Sequence, residues 1–319
     1  PMFKYILERI GAMLITLFLV MTLSFCVIRL MPMTIFENPE VPAEIQRQLE
    51  DKFHLNDPMI VQYYYFMRDV ITELNFGISI KLRPGLPVWD ILVSRLPPTI
   101  LVNFLSLFIS VPIGLIAGTA AALKRNTWLD HVISFLVVIF ISVPSFVFAS
   151  VMQYGLAYKL GWFPVLYDAT TGTVGAMMSS MVLPIVALSL GPIATIARYL
   201  RGELIENISS EYLLLARTKG LSRGQTTVRH ALRNSMVPIF PMILGEFIGI
   251  IGGSLIIEQI FGIPGVGPLY ISSITAAQPD YNFFMLLSAF YTLVGLASGI
   301  LVDLSYGFID PRIRMGSRK

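Results

Sequence analysis

Charge is scarce in this chain. Only 13% of its 319 residues are Asp, Glu, Lys or Arg, while 55% are hydrophobic and the mean hydropathy is +0.72. A soluble domain carries about a quarter charged residues. Half that fraction leaves too little polar side chain to clothe a water-facing surface, which excludes a soluble globule, a disordered chain and a nucleic-acid-binding module. The net charge of +3 does not revive nucleic acid as a partner, because its distribution fits membrane topology. Cysteine is nearly absent as well: Cys26 stands alone in an apolar run, so no internal disulfide can form. One cysteine and three widely spaced histidines make no structural metal site. There is no GxxxxGK[ST], HExxH or GxSxG, hence no nucleotide-cradling loop, zinc-protease helix or nucleophile elbow. The expectation is a chain that is not itself an enzyme, without catalytic residues or a cofactor of its own.

What the chain has in abundance is long apolar runs. Residues 10–28, 98–123, 132–158, 177–197, 235–257 and 281–302 are each long enough to cross a bilayer, and the only charge within them is Glu246. Backbone groups in hydrocarbon must be satisfied internally, so these runs predict six spanning helices of an all-α membrane protein. The first run is too long for a typical signal core, and Arg29-Leu30-Met31-Pro32 offers no small-residue cleavage site, so it reads as a retained helix. Met2 reads as the natural start.

Basic residues set the orientation. Lys4, Arg9, Lys124, Arg125, the segment 198–234 and the C-terminal Arg312, Arg314, Arg318 and Lys319 fall on one side, which carries 15 of the 23 Lys and Arg residues. The other side holds 8, six of them in the segment 32–97 beside nine acids, and the segment 258–280 has none. The first side is expected to be cytoplasmic, with both termini inside. This divides the chain into residues 1–31 (N-terminus and first span), an external insertion over 32–97, and a five-span core over 98–319 that contains the cytoplasmic loop 198–234.

The external insertion carries helical signals. Ile45, Leu49 and Phe53 recur at helical spacing, and Asp57-Pro58 suits the start of a second helix bearing Tyr63-Tyr64-Tyr65-Phe66. Such an aromatic cluster suits the membrane–water boundary; a direct substrate contact is the competing reading. Gly114-x-x-x-Gly118, Gly245-x-x-x-Gly249-x-x-x-Gly253 and Gly295-x-x-x-Gly299 are spaced to let helices approach closely.

The inner segment is the most distinctive. Arg198-Tyr199-Leu200-Arg201 leads to Glu211-Tyr212, Ala216-Arg217, Lys219-Gly220-Leu221, then His230-Ala231-Leu232-Arg233-Asn234 and Pro238. This resembles the EAA loop of ABC importer permeases. The resemblance implies a short coupling helix that docks on a cytoplasmic ATPase subunit, with Glu211, Tyr212, Leu215, Ala216, Arg217, Lys219 and Gly220 at the contact. Apolar side chains there, with Leu213, would supply adhesion, the charges register, and Gly220 the turn back. Leu221-Ser222-Arg223-Gly224-Gln225 looks like an ATPase signature, but without a phosphate loop it reads as a polar turn between two short helices.

Further matches narrow the resemblance to the B-type permease of dipeptide and oligopeptide importers, over nearly the whole chain. They comprise His54-Leu55-Asn56-Asp57-Pro58, Gln62-Tyr63, Phe76-Gly77-x-Ser79, Arg95-Leu96-Pro97-x-Thr99 and Ser142-Val143-Pro144-Ser145-Phe146. They continue with Glu258-x-x-Phe261-x-x-Pro264-Gly265-x-Gly267, Asp280-Tyr281 and Asp303-Leu304-x-Tyr306-x-x-Ile309-Asp310-Pro311-Arg312. Pro32-Met33-Thr34-Ile35 departs from the family's usual Pro-Gly-Asp-Pro. The resemblance implies a type I ABC importer permease in a bacterial inner membrane. Its implied partners are a homologous C-type permease, two ATPase subunits that hold ATP and Mg, an extracytoplasmic peptide-binding protein docking on 32–97 and 258–280, and lipid. Nickel, glutathione and oligosaccharide importers share the scaffold.

An ionisable group in mid-membrane is a functional candidate. Glu246, Gly249, Ile250 and Gly253 are expected on one face of the fifth span, lining the substrate path where the carboxylate meets a peptide's ammonium group. Pairing of Glu246 with a base on the second permease is the equal alternative. Asp303 reads as structural, and Arg29 as a side chain reaching up to the head groups. A proton-coupled carrier using Glu246 and an intramembrane hydrolase are the rivals; no inverted repeat supports the first, and no paired catalytic groups support the second.

Overall fold

In the computed structural model, residues 2–30, 42–52, 54–275 and 280–309 are described. Phe53, the turn Pro32-Met33-Thr34-Ile35 and the C-terminal run from Asp310 through Arg312, Arg314, Arg318 and Lys319 lie outside them. Among the described residues the structure is helical, with one isolated bridge between Ile78 and Pro87. In chain order the helices are α1 (Met2–Leu30), α2 (Ala43–Lys52), α3 (Met59–Glu73), α4 (Val88–Leu123), α5 (Trp128–Ser142), α6 (Ser145–Met152) and α7 (Val174–Ile208). They continue as α8 (Glu211–Thr218), α9 (Arg223–Thr226), α10 (Arg233–Gly249), α11 (Leu255–Ile260), α12 (Val266–Thr275) and α13 (Tyr281–Ile309). Two compact units emerge, Pro1–Pro97 with Gly265–Leu296, and Pro98–Pro264 with Ala297–Lys319.

Among the described residues five helical stretches are long and apolar enough to cross a membrane: Ile6–Leu30, Val88–Leu123, Val174–Ile208, Gly224–Ile260 and Tyr281–Tyr306. A sixth crossing forms if the bent pair Trp128–Ser142 and Ser145–Lys159 counts as one span. This corrects the continuous helix expected over 132–158. The two halves meet at 98° because Pro144 forces the preceding residue out of the helical region: Val143 is extended, with φ −93° and ψ 125°. Gln153 secures the second half by donating to the carbonyls of Val165 and Ile260, each at 2.9 Å.

In the first unit the core gathers Met21, Phe25 and Ile28 of α1 with Phe76, Val88, Ile91, Leu92, Phe283 and Leu286. Its polar centre is Asp280, which is fully buried. One oxygen of its carboxylate accepts from Ser79 Oγ at 2.5 Å and from the amides of Ile80, Lys81 and Leu82, each at 3.1 Å. The other accepts from the Phe283 amide at 3.3 Å. Two sequence matches about two hundred residues apart, Phe76-Gly77-x-Ser79 and Asp280-Tyr281, therefore form one site. The loop 77–87 wraps around a single carboxylate because several donors are needed to keep a buried charge.

In the second unit α4 and α7 lie in close contact. A Cβ on Gly114 would stand 2.8 Å from Ile196 Cβ, and one on Gly118 would stand 2.8 Å from the Ala197 carbonyl. This glycine pair is where the small-residue signal bears on packing. Ser106 and Ser189 hydrogen-bond across the same seam at 3.2 Å. Gly245 abuts Val302, with Cβ-equivalent spacing of 3.1 Å, whereas Gly249, Gly295 and Gly299 meet nothing within 4 Å.

Asp130, 1% exposed, accepts two hydrogen bonds from Arg201, Nε at 2.6 Å and an Nη at 2.8 Å, and also the Asn126 amide at 3.0 Å. It locks the Lys124-Arg125 turn to α7.

Two outcomes test this packing. Asp280→Ala leaves the amides of residues 80–82 without their acceptor, so protease cleavage within 77–87 in membranes is expected to rise several-fold, with Asp280→Asn intermediate. Gly253→Ala places a Cβ in backbone with φ +66° and ψ −169°, against the carboxylate of Glu258 and 2.5 Å from Thr99 Cγ2. A cost of about 1–3 kcal/mol from backbone strain alone predicts a lower melting temperature of the purified protein by differential scanning fluorimetry.

Candidate functional site

After α7 the chain folds as α8, a glycine turn, α9 and a π-helical turn over Thr227–Leu232 that runs into α10. Helix α8 starts after Ser210, whose extended backbone (φ −75°, ψ 149°) ends the incoming turn. Glu211 sits in its first turn and Arg217 in its last, each of the sign the helix dipole favours. Gly220 then adopts φ +90°, the left-handed conformation that returns the chain, and its amide donates to the Arg217 carbonyl at 2.9 Å.

The helix divides sharply into two faces. Leu213, 1% exposed, and Ala216 point inward, Leu213 packing with Ala122 of α4, Leu204 of α7 and Ala231. Tyr212, Leu214 and Leu215 are exposed, as are Glu211, Lys219 and Gly220. Ala216 therefore belongs to the seat of the helix within its own chain rather than to an outward contact. Leu214, 65% exposed, is an outward residue that the spacing did not single out. The sequence signal that finds it is the i, i+3 pair of Leu213 and Ala216, which fixes the inner face and leaves Leu214 outside.

Asn207 joins three elements at this point. Its carbonyl oxygen accepts from Tyr212 Oη at 2.6 Å, and its amide nitrogen donates to Ser235 Oγ at 3.0 Å. The residue was not anticipated; its partners come from α8 and α10, and nothing local in α7 marks it. The stretch resembling an ATPase signature is a capping box. The Ser222 amide donates to Gln225 Oε1 at 3.1 Å, and the Gln225 amide donates to Ser222 Oγ at 3.2 Å.

The second candidate region is α10. Glu246 is exposed, and among the described residues no ion pair or hydrogen bond reaches its carboxylate. Gly249 is exposed beside it, while Ile250 is buried. The four residues expected on one helical face do not share one. The α-helix ends at Gly249, a 3-10 turn covers Ile250–Gly252, and Gly253 breaks the path with φ +66° before α11 begins. Gly253 is where the backbone closes on Glu258. That carboxylate, fully buried, accepts from Thr99 Oγ1 at 3.2 Å and from the Ser254 amide at 3.3 Å. Phe247, next to Glu246 in sequence, packs edge-on to Phe104 with centroids 6.4 Å apart.

The chain has close relatives. The model of the family described as binding-protein-dependent transport system inner membrane component matches residues 110–315. The dipeptide transport system permease protein DppB of Lactococcus lactis subsp. cremoris (strain MG1363) is 36% identical, covering 98% of this chain and 100% of that protein. DppB of Bacillus subtilis (strain 168) is 37% identical over 98% of this chain and 99% of its own length. The oligopeptide transport system permease protein OppB of Escherichia coli (strain K12) is 36% identical over 98% and 100%. Among solved structures, a chain of the inward-facing MetNI methionine ABC transporter superposes with TM-score 0.55 at 20% identity, covering 69% of this chain and 97% of that one. That likeness shows the fold of a type I ABC importer permease. The chain belongs to the family of binding-protein-dependent transport system inner membrane components.

Proposed function

We propose that this chain is the permease subunit of an ATP-driven peptide importer, seated in a bacterial inner membrane with both termini in the cytoplasm. The basic segments 124–125 and 198–234 support that orientation. The names of the relatives support dipeptides or oligopeptides as cargo. The partners are a homologous C-type permease that completes the pathway and two ATPase subunits that bind ATP with Mg. An extracytoplasmic binding protein docks on residues 32–97 and 258–280.

One observation carries this reading: α8 presents Tyr212, Leu214 and Leu215 outward while Leu213 anchors it to α4 and α7. Exposed apolar side chains on a loop that also bears Glu211, Lys219 and Gly220 form a docking surface. The anchoring makes it a lever. A force applied to α8 passes through Leu213 and Asn207 into the ends of α4, α7 and α10, so ATPase closure rocks the spans between inward-open and outward-open states.

Cargo passes the exposed faces of Glu246 and Gly249. A carboxylate held in mid-span with no partner among the described residues requires water or a cation, and the ammonium terminus of a peptide supplies one. Buried Ile250 and the Gly253 break shape the backbone beyond this point rather than touching cargo.

Leu215→Asp is expected to reduce binding-protein-stimulated ATPase activity and peptide uptake at least tenfold in proteoliposomes of the assembled importer. Leu214→Asp should act alike, with membrane levels of the chain unchanged by immunoblot. Normal uptake by both variants would overturn the coupling role. Glu246→Gln should lower uptake of peptides with a free amino terminus about tenfold and leave N-acetylated peptides unaffected; equal loss for both would move Glu246 from the pathway to a permease–permease contact. Uptake driven by a pH gradient without ATP would establish the proton-coupled carrier instead.

A further inference from the structure

Helix α3 carries three distinct faces. Tyr63, Phe66 and Val70 pack into the core of the first unit. Arg68 and Thr72 are exposed on the opposite arc with Asp69 beside them, and Glu73 is exposed at the last turn, in line with Phe66. Between these lies a stripe of exposed apolar residues: Ile60 at 77%, Tyr64 at 63%, Ile71 at 71% and Leu74 at 67% exposure. Ile60, Tyr64 and Ile71, spaced four and seven residues apart, fall on one line along the helix, and Leu74 is the left-handed C-cap just beyond its last turn. No residue of α3 is fully buried. A water-facing helix would not repeat large apolar groups along such a line.

The partner of the packed face identifies the surroundings. Phe25 of α1 stacks on Phe66 with centroids 5.4 Å apart and meets Tyr63 edge-on at 5.3 Å. The Tyr63 hydroxyl shares a 2.6 Å hydrogen bond with Thr22 Oγ1, which itself donates to the Phe18 carbonyl at 2.7 Å. Thr22 lies eight residues before Leu30, the end of the apolar helix, or about 12 Å along the axis at 1.5 Å per residue. The apolar stretch Ile6–Leu30 has 25 residues, about 37 Å by the same rise. Centred on a hydrocarbon core of about 30 Å, it projects about 4 Å beyond each boundary. Tyr63 thus meets α1 about 8 Å inside the hydrocarbon, which matches the 5–10 Å depth of an interfacial amphipathic helix. On α1 itself, Leu23, Val27 and Leu30 are exposed at the same level and continue the apolar surface.

We propose that α3 is a half-submerged helix in the outer leaflet. The stripe Ile60, Tyr64, Ile71 and Leu74 is solvated by phospholipid acyl chains, and Arg68, Thr72 and Glu73 face head groups and water. The Tyr63–Thr22 bond and the Phe25 contacts fasten it to the first span, so the insertion rides on the membrane surface. The inference rests on the proposed placement of α1 as a span with residues 32–97 outside.

The test uses the assembled importer with Cys26→Ala in this chain and one further substitution: Ile60→Cys, Ile71→Cys, Glu73→Cys or, on α1, Leu23→Cys. Each cysteine carries a bimane fluorophore, and the complexes are reconstituted in phosphatidylcholine–phosphatidylglycerol vesicles, with or without dibrominated acyl chains. Bromolipid is expected to quench Ile60→Cys and Ile71→Cys at least twofold, as it does Leu23→Cys, with iodide in the water quenching them little; Glu73→Cys should show the reverse. Iodide quenching at Ile60→Cys and Ile71→Cys equal to that at Glu73→Cys overturns the proposal, because the stripe then faces water. Protection from both quenchers also overturns it, assigning the stripe to a protein partner. Absence of bromolipid quenching at Leu23→Cys removes the placement of α1, and the inference with it; quenching there with none at Ile60→Cys and Ile71→Cys removes the inference alone.

Discussion

Hydrocarbon offers no hydrogen bond to a backbone or a charge, and the architecture follows from that constraint. It turns every long apolar run into helix and decides where the chain can bend. The bend at Val143–Pro144 and the break at Gly253 are both places where regular helical hydrogen bonding stops. Each is bolstered by side chains: Gln153 donates to two carbonyls near the first, and Glu258 gathers Thr99 and the Ser254 amide near the second. The same demand makes Asp280 collect donors from a whole loop and Asp130 take both arms of Arg201. Among the described residues Glu246 stands apart from these satisfied acids, with no hydrogen bond or ion pair to its carboxylate.

Helix α8 shows how a short helix is held in place. An eight-residue helix is too short to be stable alone. Leu213 and Ala216 supply the missing stability by burial, and Tyr212 and Ser235 lock it through Asn207. What remains on the outside is a small apolar surface on a rigid mount.

Much of this was legible in order of residues. Hydropathy marked the spanning runs, because burial in lipid requires a composition that little else requires. Asp57-Pro58 marked the start of α3 to within one residue, since Pro58 and not Asp57 is its N-cap, and Gly220 marked the turn after α8. The continuous third span failed because hydropathy does not register a proline's effect on the preceding residue, although Pro144 itself was in plain view. The shared face of Glu246, Gly249, Ile250 and Gly253 failed because periodicity assumes a helix that continues, and a left-handed glycine stopped it. Asp130 escaped notice because its partner Arg201 is 71 residues away.

Composition and local spacing thus marked the apolar runs that can cross a membrane and the short helix α8 that follows α7. Those properties follow from each residue's own solvation and backbone preferences. Only the folded chain decided that Leu214 faces out while Ala216 faces in, that Ser79 and Asp280 meet, and that α3 leans on α1 at the depth of Thr22. Such facts depend on which distant side chains fill the same space, and one dimension does not carry that.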